Sequence, residues 1–132
     1  MPDLDLGDVS LHFETSGAGP PLLMIAGMLS DSGSWAPILP LLEPHFTLIR
    51  PDNRTTGRTM PWNAPAELNV ITGDLVALLD HLKLPRAHVL GHSMGGLISL
   101  LLARKHPTRI ASLTTAATAP VCTSRNIAVF LR

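Results

Sequence analysis

Residues 91–95 read Gly-His-Ser-Met-Gly, the spacing G-x-S-x-G, with Gly96 behind it. A serine between glycines at this spacing can act as a nucleophile if it sits on a sharp strand-to-helix turn that exposes its hydroxyl. Glycines two positions to either side let the strand and helix backbones approach where a side chain would collide. At the start of the following helix, free N–H groups and the helix dipole favour negative charge developing on an attacked carbonyl. Ser93 is therefore the candidate catalytic residue, and Gly91, Gly95 and Gly96 shape its turn. The competing reading is a glycine-rich turn that merely contains a serine. What separates the two is whether a strand precedes it and a buried helix follows.

Other chemistries are poorly served. Gly17-Ala-Gly19 lacks a third glycine and precedes an apolar run, so it fails as a dinucleotide cradle. His88 and His92 are four apart, but the Val-Leu-Gly between them reads as strand and turn, and no HExxH pattern occurs. Neither cofactor nor metal is expected. Ten Lys and Arg balance ten Asp and Glu, leaving no electrostatic reason to seek nucleic acid or an anionic membrane. With 45% apolar residues and no net charge the chain is not of the disordered class.

The length, 132 residues, suits one domain. The longest apolar run, Leu97–Ala103, contains Ser99 and is far short of the roughly 20 residues of a membrane span. The acidic start, Met-Pro-Asp-Leu-Asp-Leu-Gly-Asp, does not resemble a secretory leader. Cys122 is alone, so no internal disulfide forms, and a cytoplasmic location is expected.

The elements that must position Ser93 follow from periodicity. Val9, Leu11, Phe13 and Thr15 alternate with polar residues, predicting a strand with one buried face. Leu22–Ile25 is continuously apolar, as in a strand covered on both sides. Trp35, Ile38, Leu39 and Leu42 have helical spacing, and 46–50 is a further strand that Pro51 stops. Residues 51–69 lack a pattern. Ile71, Leu75, Leu78, Leu79 and Leu82 form one helical stripe. Ala87–Leu90 reads as a strand, Leu97–Lys105 as a helix apolar almost all round and hence deeply buried, and Ile110–Thr118 as a last strand. Alternating strands and helices predict an α/β class with a mainly parallel sheet flanked by helices.

From about Val9 to Ala119 the chain resembles the first half of an α/β-hydrolase-fold enzyme of the serine esterase and lipase kind. Ala26-Gly27-Met28 matches the His-Gly-X turn after that family's third strand, with Ala26 in place of His. Residues 52–59, Asp-Asn-Arg-Thr-Thr-Gly-Arg-Thr, match its D-x-R-G-x-G-x-S loop after the fourth, with Thr55 in place of Gly. Residues 91–96 match its nucleophile elbow after the fifth.

The resemblance implies that Ser93 is the nucleophile and that the backbone N–H groups of Met28 and Met94 form an oxyanion hole. Asp52 and Arg54 would hold their loop, and His92 would pack beside the serine. It also implies that residues 1–132 are the N-terminal portion of such a domain, an incomplete fold ending after the sixth strand. Residues 120–132 would begin a cap or form an improvised tail.

In this family the acid and the histidine of the triad follow the serine in the chain. Residues 120–132 contain no Asp, Glu or His, so both are expected to be missing. The function expected is hydrolysis of a small ester-like substrate, weak or absent in this chain alone. The alternative is a non-catalytic remnant or binding module that self-associates, and a third is a small self-sufficient esterase. The strand 110–118 would be an exposed edge, so a homodimer or a complementary C-terminal fragment is the expected partner.

Overall fold

The computed structural model describes residues 3–27 and 30–118. Its strands are β1 (Asp3–Asp5), β2 (Ser10–Gly17), β3 (Pro21–Ile25), β4 (Thr47–Pro51), β5 (Ala87–His92) and β6 (Ile110–Ala116). Its helices are α1 (Leu39–Leu42), α2 (Leu68–His81) and α3 (Met94–Lys105), with 3-10 turns at Ser32–Ile38 and Pro107–Arg109. One sheet has the order β1-β2-β4-β3-β5-β6. β3 pairs in parallel with β4 and β5, and β5 with β6. β2 pairs antiparallel with β1 and β4, which makes an antiparallel edge on a parallel centre.

The unbroken apolar run of β3 has a plain cause. Leu23 and Ile25 point into a core shared with Leu75, Leu78 and Leu79 of α2 and Ile98 and Leu102 of α3. Leu22 and Met24 point the other way, into a second core with Trp35 and Leu48. Both faces of the central strand are covered, so no position is left for a polar residue. β2 shows the alternative, burying Leu11 and Phe13 in the first core.

Three expectations need correction. The segment 35–42 is mostly a 3-10 turn followed by the single turn of α1. Pro37 and Pro40 supply no N–H, and a long α-helical ladder cannot run through them. Second, α3 is not deeply buried all round: Gly95, Gly96, Ile98, Ser99 and Leu102 are buried, whereas Leu97, Leu100 and Leu101 are half-exposed. Third, the last strand stops at Ala116, because Ala117 takes a left-handed φ of 52°. No helix among the described residues is long and apolar enough to cross a membrane. Residues 120–132, expected to be a cap or tail, lie outside the described residues.

Candidate active site

Ser93 stands between β5 and α3 with φ 55° and ψ −120°. A non-glycine residue there is strained by about 1–3 kcal/mol and persists only where its surroundings fix it. They do so here on every side. The Ser93 N–H donates to Ala116 O (2.9 Å), and Ser93 O accepts from Gly96 N (2.9 Å) and from Thr118 Oγ1 (2.7 Å). The Ser93 side chain is exposed and does not cap the helix, so its hydroxyl is free to meet a ligand.

The glycines explain how the turn closes. A Cβ on Gly91 would lie 2.7 Å from Gly96 Cα, so strand and helix touch through backbone alone. One on Gly95 would run into the carbonyl oxygens of Ile25 and Ala26, at the end of β3. Gly96 faces the Thr118 side chain just as closely. Gly27 brings the loop after β3 to the same place, since a Cβ there would sit 3.2 Å from Ser93 Cβ. Met94 is the first residue of α3, where a backbone N–H has no partner within the helix. Met28 lies outside the described residues. His92 is exposed, and its ring meets Trp35 edge-on with centroids 6.5 Å apart.

The loop 52–59 is a scaffold. Asp52 accepts from the N–H groups of Ser32 (2.7 Å) and Arg58 (2.9 Å). Arg54 is buried and donates to both oxygens of Asp74, both oxygens of Asp8 and the carbonyl of Pro65. Its hydrogen bonds hold the Asp8 carboxyl below the usual range. At Asp74 burial prevails over the same guanidinium, and the carboxyl is pushed up. Thr55, in the place of a glycine, adopts φ 70°.

A cavity of about 150 Å³ opens beside Gly27 and Met94, the residues that flank the serine. Ala26, Ala66, Leu68, Ile71 and Ile98 make most of its wall. Asn53, Arg54, Thr55 and Thr56 complete it. Asn53 carries no signal in the sequence, because it is hidden between two residues that the loop itself needs. Among the described residues no group of three or more His, Cys, Asp or Glu side chains is placed to hold a metal ion.

A mainly parallel sheet defines an α/β protein, and its strained, exposed serine beyond the carboxyl end of β5 stands where such sheets bind ligands. The family model for the alpha/beta hydrolase fold matches residues 20–130, and the chain belongs to that family. RutD of Azorhizobium caulinodans, which bears the provisional name carbamate hydrolase, is 37% identical over 114 residues. That match covers 86% of this chain and 43% of the relative. A hydrolase from Pseudomonas aeruginosa superposes with a TM-score of 0.88 at 32% identity, over 99% of this chain and 52% of that one. The enol-lactonase of Burkholderia xenovorans does so with 0.87 at 31% identity, over 97% and 51%. The chain thus spans about half the length of the proteins it matches.

Proposed function

We propose that this chain carries the nucleophilic half of a hydrolase for small ester-like substrates, with Ser93 as nucleophile. The carrying observation is the strained and exposed conformation of Ser93 at the start of α3. In the step envisaged, Ser93 Oγ attacks the substrate carbonyl and loses its proton. The tetrahedral oxyanion is received by the backbone N–H groups of Met94 and Met28, the proton from Ser93 passes to the leaving alkoxide, and water then hydrolyses the acyl-Ser93 ester to the acid and free serine. The hydrolase and lactonase names among similar proteins support the reaction class. Gly27, packed against Ser93, supports the placing of the second donor loop. The histidine beside the serine is turned onto Trp35, so the base is supplied by other residues than His92.

Trapping tests this reading. A p-nitrophenyl alkylphosphonate should transfer its phosphonyl group to Ser93 Oγ with loss of p-nitrophenolate, and peptide mass spectrometry should find the adduct there. Ser93→Ala should take up none. Equal labelling of both proteins, or none of either, would remove the assignment.

A second reading, association through the sheet edge, is favoured by β6. Ala111, Ser112, Thr114, Thr115 and Ala116 are exposed, and among the described residues β6 pairs only with β5. Its free N–H and C=O groups are a template for another strand.

A further inference from the structure

The cavity beside Ser93 holds one group that the fold does not use. Asn53 is 7% exposed, lines the cavity, and its Oδ1 has no hydrogen-bond partner among the described residues. Its neighbours Asp52 and Arg54 are both fully engaged in holding the loop. The turn at Asn53 is made by its backbone instead: Asn53 O accepts from Thr56 N (3.0 Å) and Thr56 Oγ1 (2.6 Å). The side-chain amide is therefore spare. A buried polar group without a partner weakens a fold, and an apolar residue would suit a wall that is mostly Ala, Leu and Ile, with Arg54, Thr55 and Thr56 on one side.

We infer that Asn53 is a specificity-determining residue, selecting substrates that carry a hydroxyl or N–H on the part entering this cavity. The inference rests on the reading of Ser93 as the group that meets the substrate. Three features carry it. The cavity adjoins Gly27 and Met94, so a group bound in it belongs to a molecule whose carbonyl can reach Ser93. Its volume, about 150 Å³, matches that of a cavity that takes up benzene, which limits the entering group to about four to six heavy atoms. The orphan atom is an acceptor, so the complementary ligand group is a donor. Oδ1 has almost no exposed surface as it stands, so binding requires a rotation of the amide about Cβ–Cγ, which turns the oxygen toward such a donor without any movement of the backbone. The substrate class is then a short acyl ester bearing a hydroxyl or amino group, rather than a plain alkanoate.

The test is binding to the full 132-residue chain carrying Ser93→Ala, which removes turnover. Methyl 3-hydroxybutanoate and methyl butanoate are titrated while ¹H–¹⁵N spectra report the Asn53 side-chain NH₂. The hydroxy ester should bind at least tenfold more tightly and shift that NH₂ signal. A further Asn53→Leu change should erase the preference, and Asn53→Asp, which keeps an acceptor, should retain it. Equal affinity for the two esters, binding of neither, or a preference that survives Asn53→Leu would overturn the inference. If Asn53→Leu fails to fold, the comparison of the two esters on the chain with Asn53 intact still decides. Failure of the nucleophile reading looks different: Ser93 would resist phosphonylation while the preference for the hydroxy ester persisted.

Discussion

Arg54 and Asp74 meet as two parallel forks, Nε to Oδ2 at 2.6 Å and Nη2 to Oδ1 at 3.0 Å, both side chains buried. With Asp8 on its other side, this one guanidinium ties the turn before β2, the loop after β4 and the middle of α2 into one piece. Removing one member of a buried charge pair strands the other, at a cost of about 3–5 kcal/mol. Asp74→Ala should accordingly lower the urea midpoint by that much in free energy. Asp8→Ala should cost far less, because Asp8 is half-exposed and water replaces it.

His12 supplies a pH dependence. Its ring is buried between Asp3 Oδ1 (2.7 Å) and Glu14 Oε1 (2.8 Å). Burial opposes the charge on the ring, but the hydrogen bonds that the ring donates to Glu14 and Asp3, with Asp52 nearby, outweigh it and raise the pKa above the usual 6.5. The folded chain therefore binds this proton more tightly than the unfolded one. The stabilisation is complete below pH 6.5 and disappears as pH rises through the raised value. Melting temperatures across this range should fall with pH, and His12→Gln should flatten that fall. An NMR titration placing the His12 midpoint at or below 6.5 would contradict it.

Thr55 holds φ 70° with a branched Cβ, a conformation suited to glycine. Thr55→Gly relieves strain of about 1–3 kcal/mol and gives back part of it as unfolded-chain entropy. A net gain of about 1 kcal/mol is expected in denaturant titration.

Gly95→Ala should be among the most damaging single changes in the chain. The added methyl meets two backbone carbonyls of the β3 end, which cannot rotate away as a side chain would. The result should be loss of the cooperative thermal transition, or a destabilisation above about 3 kcal/mol. Gly73→Ala, which meets nothing on the exposed side of α2, should instead stabilise by about 0.5–1 kcal/mol.

Association through β6 should show as a species heavier than a monomer in sedimentation at micromolar concentration. Thr115→Pro, which removes an edge N–H, should reduce it. A single monomeric boundary at all concentrations would dismiss the edge reading.

The sheet and its order of elements were legible because burial writes itself into hydropathy. Val9, Leu11 and Phe13 alternate and bury one face, although His12 between them is buried as well, held by Asp3 and Glu14. Leu22–Ile25 does not alternate, and its two faces are both covered. The turn at Ser93 was legible for another reason, because close backbone approach admits only glycine at 91 and 95. What stayed hidden lacks any periodic signal. β1 is short, acidic and mostly exposed, so its sequence Asp-Leu-Asp is not distinguished from a loop. The Arg54 forks join residues 46 and 20 positions apart, and no local spacing announces them. Asn53 gave no signal for the same reason, since what marks it is a partner that it lacks among the described residues.

The hydrogen bonds from Ser93 N–H to Ala116 O and from Thr118 Oγ1 to Ser93 O also fix when the site comes into being. Ala116 and Thr118 follow Ser93 only after α3 has crossed over the sheet and the chain has returned beside β5. Before that return, nothing holds the serine in its left-handed conformation, so it relaxes into ordinary helix or extended backbone. The strained geometry of Ser93 is thus a late product of assembly, and it is lost whenever β6 peels away. In native-state hydrogen exchange, the Ser93 amide and the β6 amides paired with β5 should open together, at the same free energy.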